Sequence, residues 1–276
     1  MSETSADRCR RYRRRILEIS RQVEAAHVAP AFSCLEIVDA LYHEVMREQD
    51  IFIMSKGHGC LAQYVVMEDL GTLPPESLDN YCKMGDPIFP ALGAHPDYAP
   101  GIGIHASTGS LGHGLGIAAG QALAEKIKGS DVRVYVLLSD GECQEGSTWE
   151  VAMVAANLGL TNLTALVDNN DFGGMDRMSE VHPAFHPLDT KFTAFGWYVI
   201  DGIDGHSSLV AEYLLELVCA QPKVFIFDTT KGKGVSFMES APLWHYRSPN
   251  PEEYRKALAE LGGASSEEAA DAAQGG

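Results

Sequence analysis

Between Val132 and Asp228 the sequence alternates short apolar runs with helical segments. Strands are predicted over Val132–Leu138, Leu163–Val167, Trp197–Ile200 and Val224–Asp228, with helices over Gly146–Leu158, Leu188–Phe195 and from a Ser207 cap through Cys219. Such alternation predicts an α/β fold with a mostly parallel sheet and helices on both faces. Ligands of these sheets bind beyond the carboxyl ends of the strands. Upstream, Gly112–Lys128 reads as a helix opening on glycines. Arg8–Arg21 reads as a surface helix with an apolar stripe of Ile16, Leu17, Ile19 and Val23. Ser33 and Glu36 have the spacing of a capping box, flanked by a Phe32/Ile37 staple. The Gly/Pro-rich stretch 71–112 reads as binding loops, and 265–276 as a disordered tail after a single domain over 1–264.

The 276 residues carry 21 Lys+Arg against 38 Asp+Glu, a net charge of −17. That balance argues against nucleic acid, whose binding needs clustered cations. No apolar run approaches the length of a membrane span. Six scattered cysteines without a Cys-x-x-Cys pair, and arginines near the N-terminus, predict a reduced cytoplasmic protein.

Three polar loops follow predicted strand ends: Ser139-Asp140-Gly141-Glu142, Asp168-Asn169-Asn170, and Thr229 to Gly234. Asp-Gly and Asn-Asn are also ordinary turn residues. Their spacing of one strand-helix-strand step, however, brings the Asp140 carboxylate and the Asn170 amide oxygen to one sheet edge. With a backbone carbonyl these are hard ligands of the kind Mg²⁺ takes alongside phosphate oxygens.

This Asp-Gly…Asn pattern resembles the thiamine-diphosphate motif, and further matches resemble the transketolase family. They are Ser55-Lys56-Gly57-His58-Gly59, His95-Pro96, Thr108 to Gly114, Asp140 to Gly146, Phe195-Gly196-Trp197, Asp204-Gly205-His206 and Lys231 to Glu239, in the family's order. The resemblance implies that Asp140, Asn170 and the Phe172 carbonyl hold Mg²⁺, and that Gly141 admits the diphosphate. Glu142 and the loop Gly109, Ser110 and Leu111 are counted with the cofactor site. His58 and His245 are similar to histidines near the diphosphate and reacting carbon, and His27 and His95 to those meeting sugar hydroxyls. Glu145 resembles a buried glutamate linking paired sites. His105, His113, His182, His186 and His206 read as structural. The cofactor implied is thiamine diphosphate with Mg²⁺, and several imidazoles suit proton shuttling near neutral pH.

By the resemblance, all matched motifs belong to the diphosphate-binding domain, and the glutamate that activates the aminopyrimidine is expected on another chain. The resemblance therefore implies one subunit of a split transketolase, in an α₂β₂ assembly with a C-terminal subunit carrying the pyrimidine-binding domain. It would transfer a two-carbon ketol unit from a ketose to an aldehyde. Alternatives are a deoxyxylulose-phosphate synthase-like or E1-like component, or a subunit that assembles without catalysis. Gly114-x-Gly116-x-x-Ala119 is disfavoured as a dinucleotide site, because the run follows a loop instead of a strand. Departures from the family pattern are Ala25-Ala26 before His27, Ser110 and His113 in the glycine loop, Ser139 before Asp140, and Asp228 where a lysine is frequent.

Overall fold

The computed structural model describes residues 3–83, 92–215 and 219–262. Two helices open it, α1 (Ser5–Ser20) and α2 (Val28–Ala40), followed by β1 (Ile51–Met54), α3 (Cys60–Asp69) and α4 (Pro75–Asp79). Next come α5 (Gly114–Lys128), β2 (Val134–Ser139), α6 (Gly146–Asn157) and β3 (Leu163–Asn169). A two-stranded ribbon of β4 (Phe172–Gly173) and β5 (Asp176–Arg177) leads to α7 (Met178–Val181) and α8 (Leu188–Ala194). The chain continues through β6 (Tyr198–Asp204), α9 (Val210–Leu215), β7 (Lys223–Asp228) and α10 (Pro251–Glu260).

The five long strands pair in the order β1-β2-β3-β7-β6, every pair parallel. Strands β2 and β3 are almost wholly buried because both sheet faces are covered. Tyr135, Leu137, Leu166, Phe225 and Phe227 face a core completed by α1, α2 and α3. Val134, Val136, Leu138, Ala165 and Val167 face the opposite core, where Leu115, Ala118, Ala152 and Phe192 from α5, α6 and α8 meet them. The period-two alternation of side chains thus divides each strand between two cores.

The expected strands and helices after residue 132 are present, β6 extending to Asp204 past an irregularity between Ile200 and Ile203, but α9 begins only at Val210, so Ser207 does not cap it, and Cys219 is not helical. Of the expected apolar stripe, Ile16, Leu17 and Ile19 are buried on α1, whereas Val23 lies beyond the helix end and is half-buried. The capping box is not formed. Helix α2 begins six residues earlier, at Val28, which leaves Ser33 in mid-helix, where its hydroxyl donates to Asp168 Oδ1 at 2.7 Å. Glu36 instead pairs with Arg13 at 2.7 Å and with His206 at 3.0 Å. Strand β1 and helix α3 fall where the sequence signalled neither. The tail 265–276, residues 84–91 of the Gly/Pro-rich stretch and residues 216–218 of the expected helix to Cys219 lie outside the described residues. No helix among the described residues is long and apolar enough to cross a membrane, and all six cysteines are free thiols.

Candidate active site

Parallel strands deliver successive loops to one end of a sheet, and here the carboxyl ends of β1, β2, β3 and β7 do so together. Register makes neighbours of Ser139 and Asp168, and of Asn169 and Asp228. The loops enclose a cavity of about 330 Å³ whose wall includes His27, His58, His95, Gly109, Leu111, Gly141, Glu145, Asn170, Phe172, Lys231 and His245.

Close backbone approach shapes its floor. A Cβ on Gly141 would lie 2.9 Å from both the Phe172 carbonyl oxygen and Gly173 Cα, and one on Gly57 would lie 2.8 Å from Gly109 N. Only glycine fits at either place. Behind Gly141, Asp140 is wholly buried. Its Oδ1 accepts from Gly141 N at 2.9 Å and its Oδ2 from Asp171 N at 2.7 Å. Burial and the neighbouring Asp168 charge push its pKa up to about 7. The nearby ammonium of Lys56 is committed to Asp168, with which it forms a wholly buried ion pair while donating to the Pro30 carbonyl at 3.1 Å. Asn170 is held from both sides, its amide donating to Ser33 Oγ at 3.0 Å and its Oδ1 accepting from Phe172 N at 3.0 Å. An under-neutralised buried carboxylate, an oriented amide oxygen and a carbonyl beside a glycine suit a divalent cation with hard-ligand preference.

Four imidazoles cover this floor. His27 lies with ring centroids 5.8 Å from His58, 5.4 Å from His95 and 5.3 Å from His245, and Tyr246 packs on it at 4.5 Å. Burial depresses all four pKa values, that of His27 to about 4 and that of His245 to about 3. These rings are therefore neutral at pH 7, able to donate and to accept a proton. Lys231, itself buried, donates to the Gly174 carbonyl at 2.7 Å and lies 2.8 Å from His245 Nδ1. Burial lowers its pKa to about 8, with the Lys56 charge adding to the effect.

Most expected site residues therefore converge, but four are placed differently. Ser110 is exposed beside the cavity and does not line it. Asp140 stands behind the lining. Glu142 is turned away from the cavity: it is wholly buried, accepts from Ser55 Oγ and from Gly112 N at 2.9 Å, and so anchors the glycine loop. Expected as a counterpart of a buried residue, Glu145 is exposed in the single chain. Asp228 is outside this cavity, bonded to Asn169 Nδ2 at 2.9 Å. The lysine that serves the site is Lys231, whose role the sequence reading missed, as it did that of Lys56. Each lies in a quoted glycine-flanked run, and a lysine between an apolar strand and a glycine turn is a recoverable signal of a paired, buried charge. His206, expected to be structural, bonds Glu36 and accepts from Thr230 N at 2.8 Å, tying down the loop that carries Lys231.

Residues 17–262 match the family described as transketolase, thiamine diphosphate binding domain. Among similar proteins, an apulose-4-phosphate transketolase subunit from Phocaeicola vulgatus is 36% identical over 261 residues, 90% of each chain. The 6-deoxy-6-sulfo-D-fructose transketolase subunit SqwG of a Clostridium species is 34% identical over 261 residues, 90% of this chain and 93% of its own. Transketolase of Rattus norvegicus is 33% identical over 259 residues, which are 87% of this chain and 39% of that protein. The fold matches a transketolase structure from Leishmania mexicana with a TM-score of 0.85 at 23% identity, covering 96% of this chain and 43% of that one.

Proposed function

The chain belongs to the transketolase thiamine diphosphate-binding family, and from that premise we propose that it is the diphosphate-binding subunit of a two-component transketolase. The observation that carries the reading is the convergence of Asp140, Gly141, Asn170 and the Phe172 carbonyl beneath four neutral histidines. Asp140, Asn170 and Phe172 would hold Mg²⁺, and Gly141 would let a diphosphate lie against the backbone. Thiamine diphosphate supplies the electron sink for breaking a carbon–carbon bond beside a ketose carbonyl. The protein's part is to orient that cofactor, exclude water and move protons.

By the family resemblance His58 and His245 are read as flanking the reacting centre, and His27 and His95 as completing the wall where a sugar would lie. Being neutral, each has one N–H to donate and one lone pair to accept toward substrate oxygens, while the Lys231 charge beside His245 opposes a second proton on that ring. The donor is read as a ketose or ketose phosphate and the acceptor as an aldehyde. Relatives that match this chain along nearly their whole length bear names of sugar-specific subunits, which supports both a separate partner and a specialised sugar. The partner would carry the pyrimidine-binding domain, in an α₂β₂ assembly, and cover the cavity on the side of exposed Glu145. The reading includes a single diphosphate-binding domain over 1–264 and a cytoplasmic setting.

The test is reconstitution with the product of a neighbouring reading frame that encodes a pyrimidine-binding transketolase domain. Ketol transfer with thiamine diphosphate and Mg²⁺ is expected from the mixture and not from either chain alone. Robust turnover by this chain alone would overturn the split. A mixture that binds cofactor but turns over no ketose would favour the assembly role.

A further inference from the structure

We infer that Lys231 is a positioning residue that holds His245 with its proton on Nε2, so that His27 and His245 face the cavity as an acceptor and a donor of hydrogen bonds. His27 Nδ1 lies 3.0 Å from the His245 carbonyl oxygen. A carbonyl only accepts, so Nδ1 of His27 carries that ring's proton. His245 Nδ1 lies 2.8 Å from Lys231 Nζ, which also donates to the Gly174 carbonyl at 2.7 Å. An ammonium has three donors and no lone pair, so Nδ1 of His245 must accept.

Both rings line the cavity, their centroids 5.3 Å apart and their planes at 84°. Their burial keeps each neutral, with one N–H apiece. The remaining nitrogens are then of opposite kinds: a lone pair on His27 Nε2 and an N–H on His245 Nε2. The partner of one nitrogen decides the state of the other, as elsewhere for histidine.

Lys231 is fixed for this task by its loop. Gly232 has φ +82°, and a Cβ there would lie 2.3 Å from the Met238 carbonyl oxygen. The same glycine's N–H bonds the Ala29 carbonyl at 3.1 Å, two residues from His27. One short segment thus ties both histidines together.

An acceptor beside a donor complements a hydroxyl beside a carbonyl, the arrangement of an α-hydroxy ketone. That ligand assignment rests on the transketolase reading; the tautomers rest on the hydrogen bonds alone. The test is long-range ¹⁵N–¹H correlation on the full chain labelled at histidine, at neutral pH without cofactor, with signals assigned through His27→Asn and His245→Gln. Opposite tautomers are expected, Nδ1–H for His27 and Nε2–H for His245. The same tautomer at both, or Nδ1–H at His245, would overturn the inference. Lys231→Met is expected to shift the His245 signals toward a mixture of tautomers and leave those of His27 in place. Lys231→Arg, which also only donates, is expected to keep the wild-type pattern and serves if the Met variant does not fold. An unmoved His245 in a folded Met variant, or a switched one in the Arg variant, would also overturn it. Opposite tautomers in a chain that yields no ketol transfer with its partner would support the inference while removing the transketolase reading.

Discussion

The ammonium of Lys56 and the carboxylate of Asp168 form an ion pair in which neither side chain is exposed, joining the end of β1 to β3 across the intervening β2. Asp168 also accepts from Ser33 on α2 and from Thr229 after β7. One carboxylate therefore gathers four of the segments that build the cavity.

Removing one partner leaves a buried, uncompensated charge. Lys56→Met is expected to cost about 3–5 kcal/mol in urea unfolding, and Lys56→Met/Asp168→Asn less than the sum of the two single changes. The pH dependence follows from the signs. The Asp168 pKa is lowered by Lys56 and its hydrogen bonds, so its contribution is present above the unfolded value of about 4 and lost as pH falls through the depressed folded one. The Lys56 pKa is raised by Asp168, so its contribution is present below about 10.4 and lost only as pH rises through a higher value.

The donor set at the cavity floor predicts cofactor affinity. Asn170→Ala is expected to weaken thiamine diphosphate binding in the presence of Mg²⁺ by roughly 10- to 100-fold, the worth of about 1.5–3 kcal/mol for a bond to a charged group. Asp140→Ala, which removes the only carboxylate of the set, is expected to abolish Mg²⁺-dependent binding, and chelation of the metal should do the same to the wild type. Calorimetry with the partner present checks all three; undiminished binding by Asp140→Ala would remove Asp140 from the site.

Two glycines make opposite expectations. At Gly141 an added methyl meets backbone at 2.9 Å, so Gly141→Ala is expected to cost about 1–3 kcal/mol and to displace the Phe172 carbonyl. At Gly120, within α5, a Cβ meets nothing within 4 Å, so Gly120→Ala is expected to stabilise by about 0.5–1 kcal/mol. Thermal unfolding of the pair compares them directly.

His27 shapes the acid limb of stability. Its folded pKa of about 4 lies below the unfolded value near 6.5, so the unfolded chain binds more protons between them. Stability should rise with pH across that window, His27 contributing up to about 1.4 kcal/mol per pH unit. His27→Asn, which can still donate to the His245 carbonyl, is expected to flatten the slope in chemical unfolding at pH 4.5 to 6.5. An unchanged slope would show His27 to be protonated in the folded chain.

What was legible in the sequence had a local cause. Strand β2 and its Asp140-Gly141 turn announce themselves through a continuous apolar run ending in turn residues, and His58 and His95 through their glycine and proline neighbours. Strand β1 carried no such signal: Ile51–Met54 is only four residues, and pairing with β2 decides its state. Ser33 and Glu36 had the spacing of a helix cap, but their side chains are taken by Asp168, Arg13 and His206 from elsewhere in the chain. Glu142 sits in the same run as Asp140, yet the turn after β2 sends it away from the cavity to hold the loop at Gly112.

The sequence by itself determined the alternation of strands and helices, and with it which loops stand at the carboxyl ends of the sheet. Backbone periodicity is a property of neighbouring residues, so a single chain read in order displays it. Tertiary structure alone decided that Lys56 meets Asp168, that Lys231 meets His245 and that Glu142 faces inward. A buried charge or imidazole must find its partner wherever the fold provides one, 112 residues away for Lys56 and 14 for Lys231, and no local pattern records that choice.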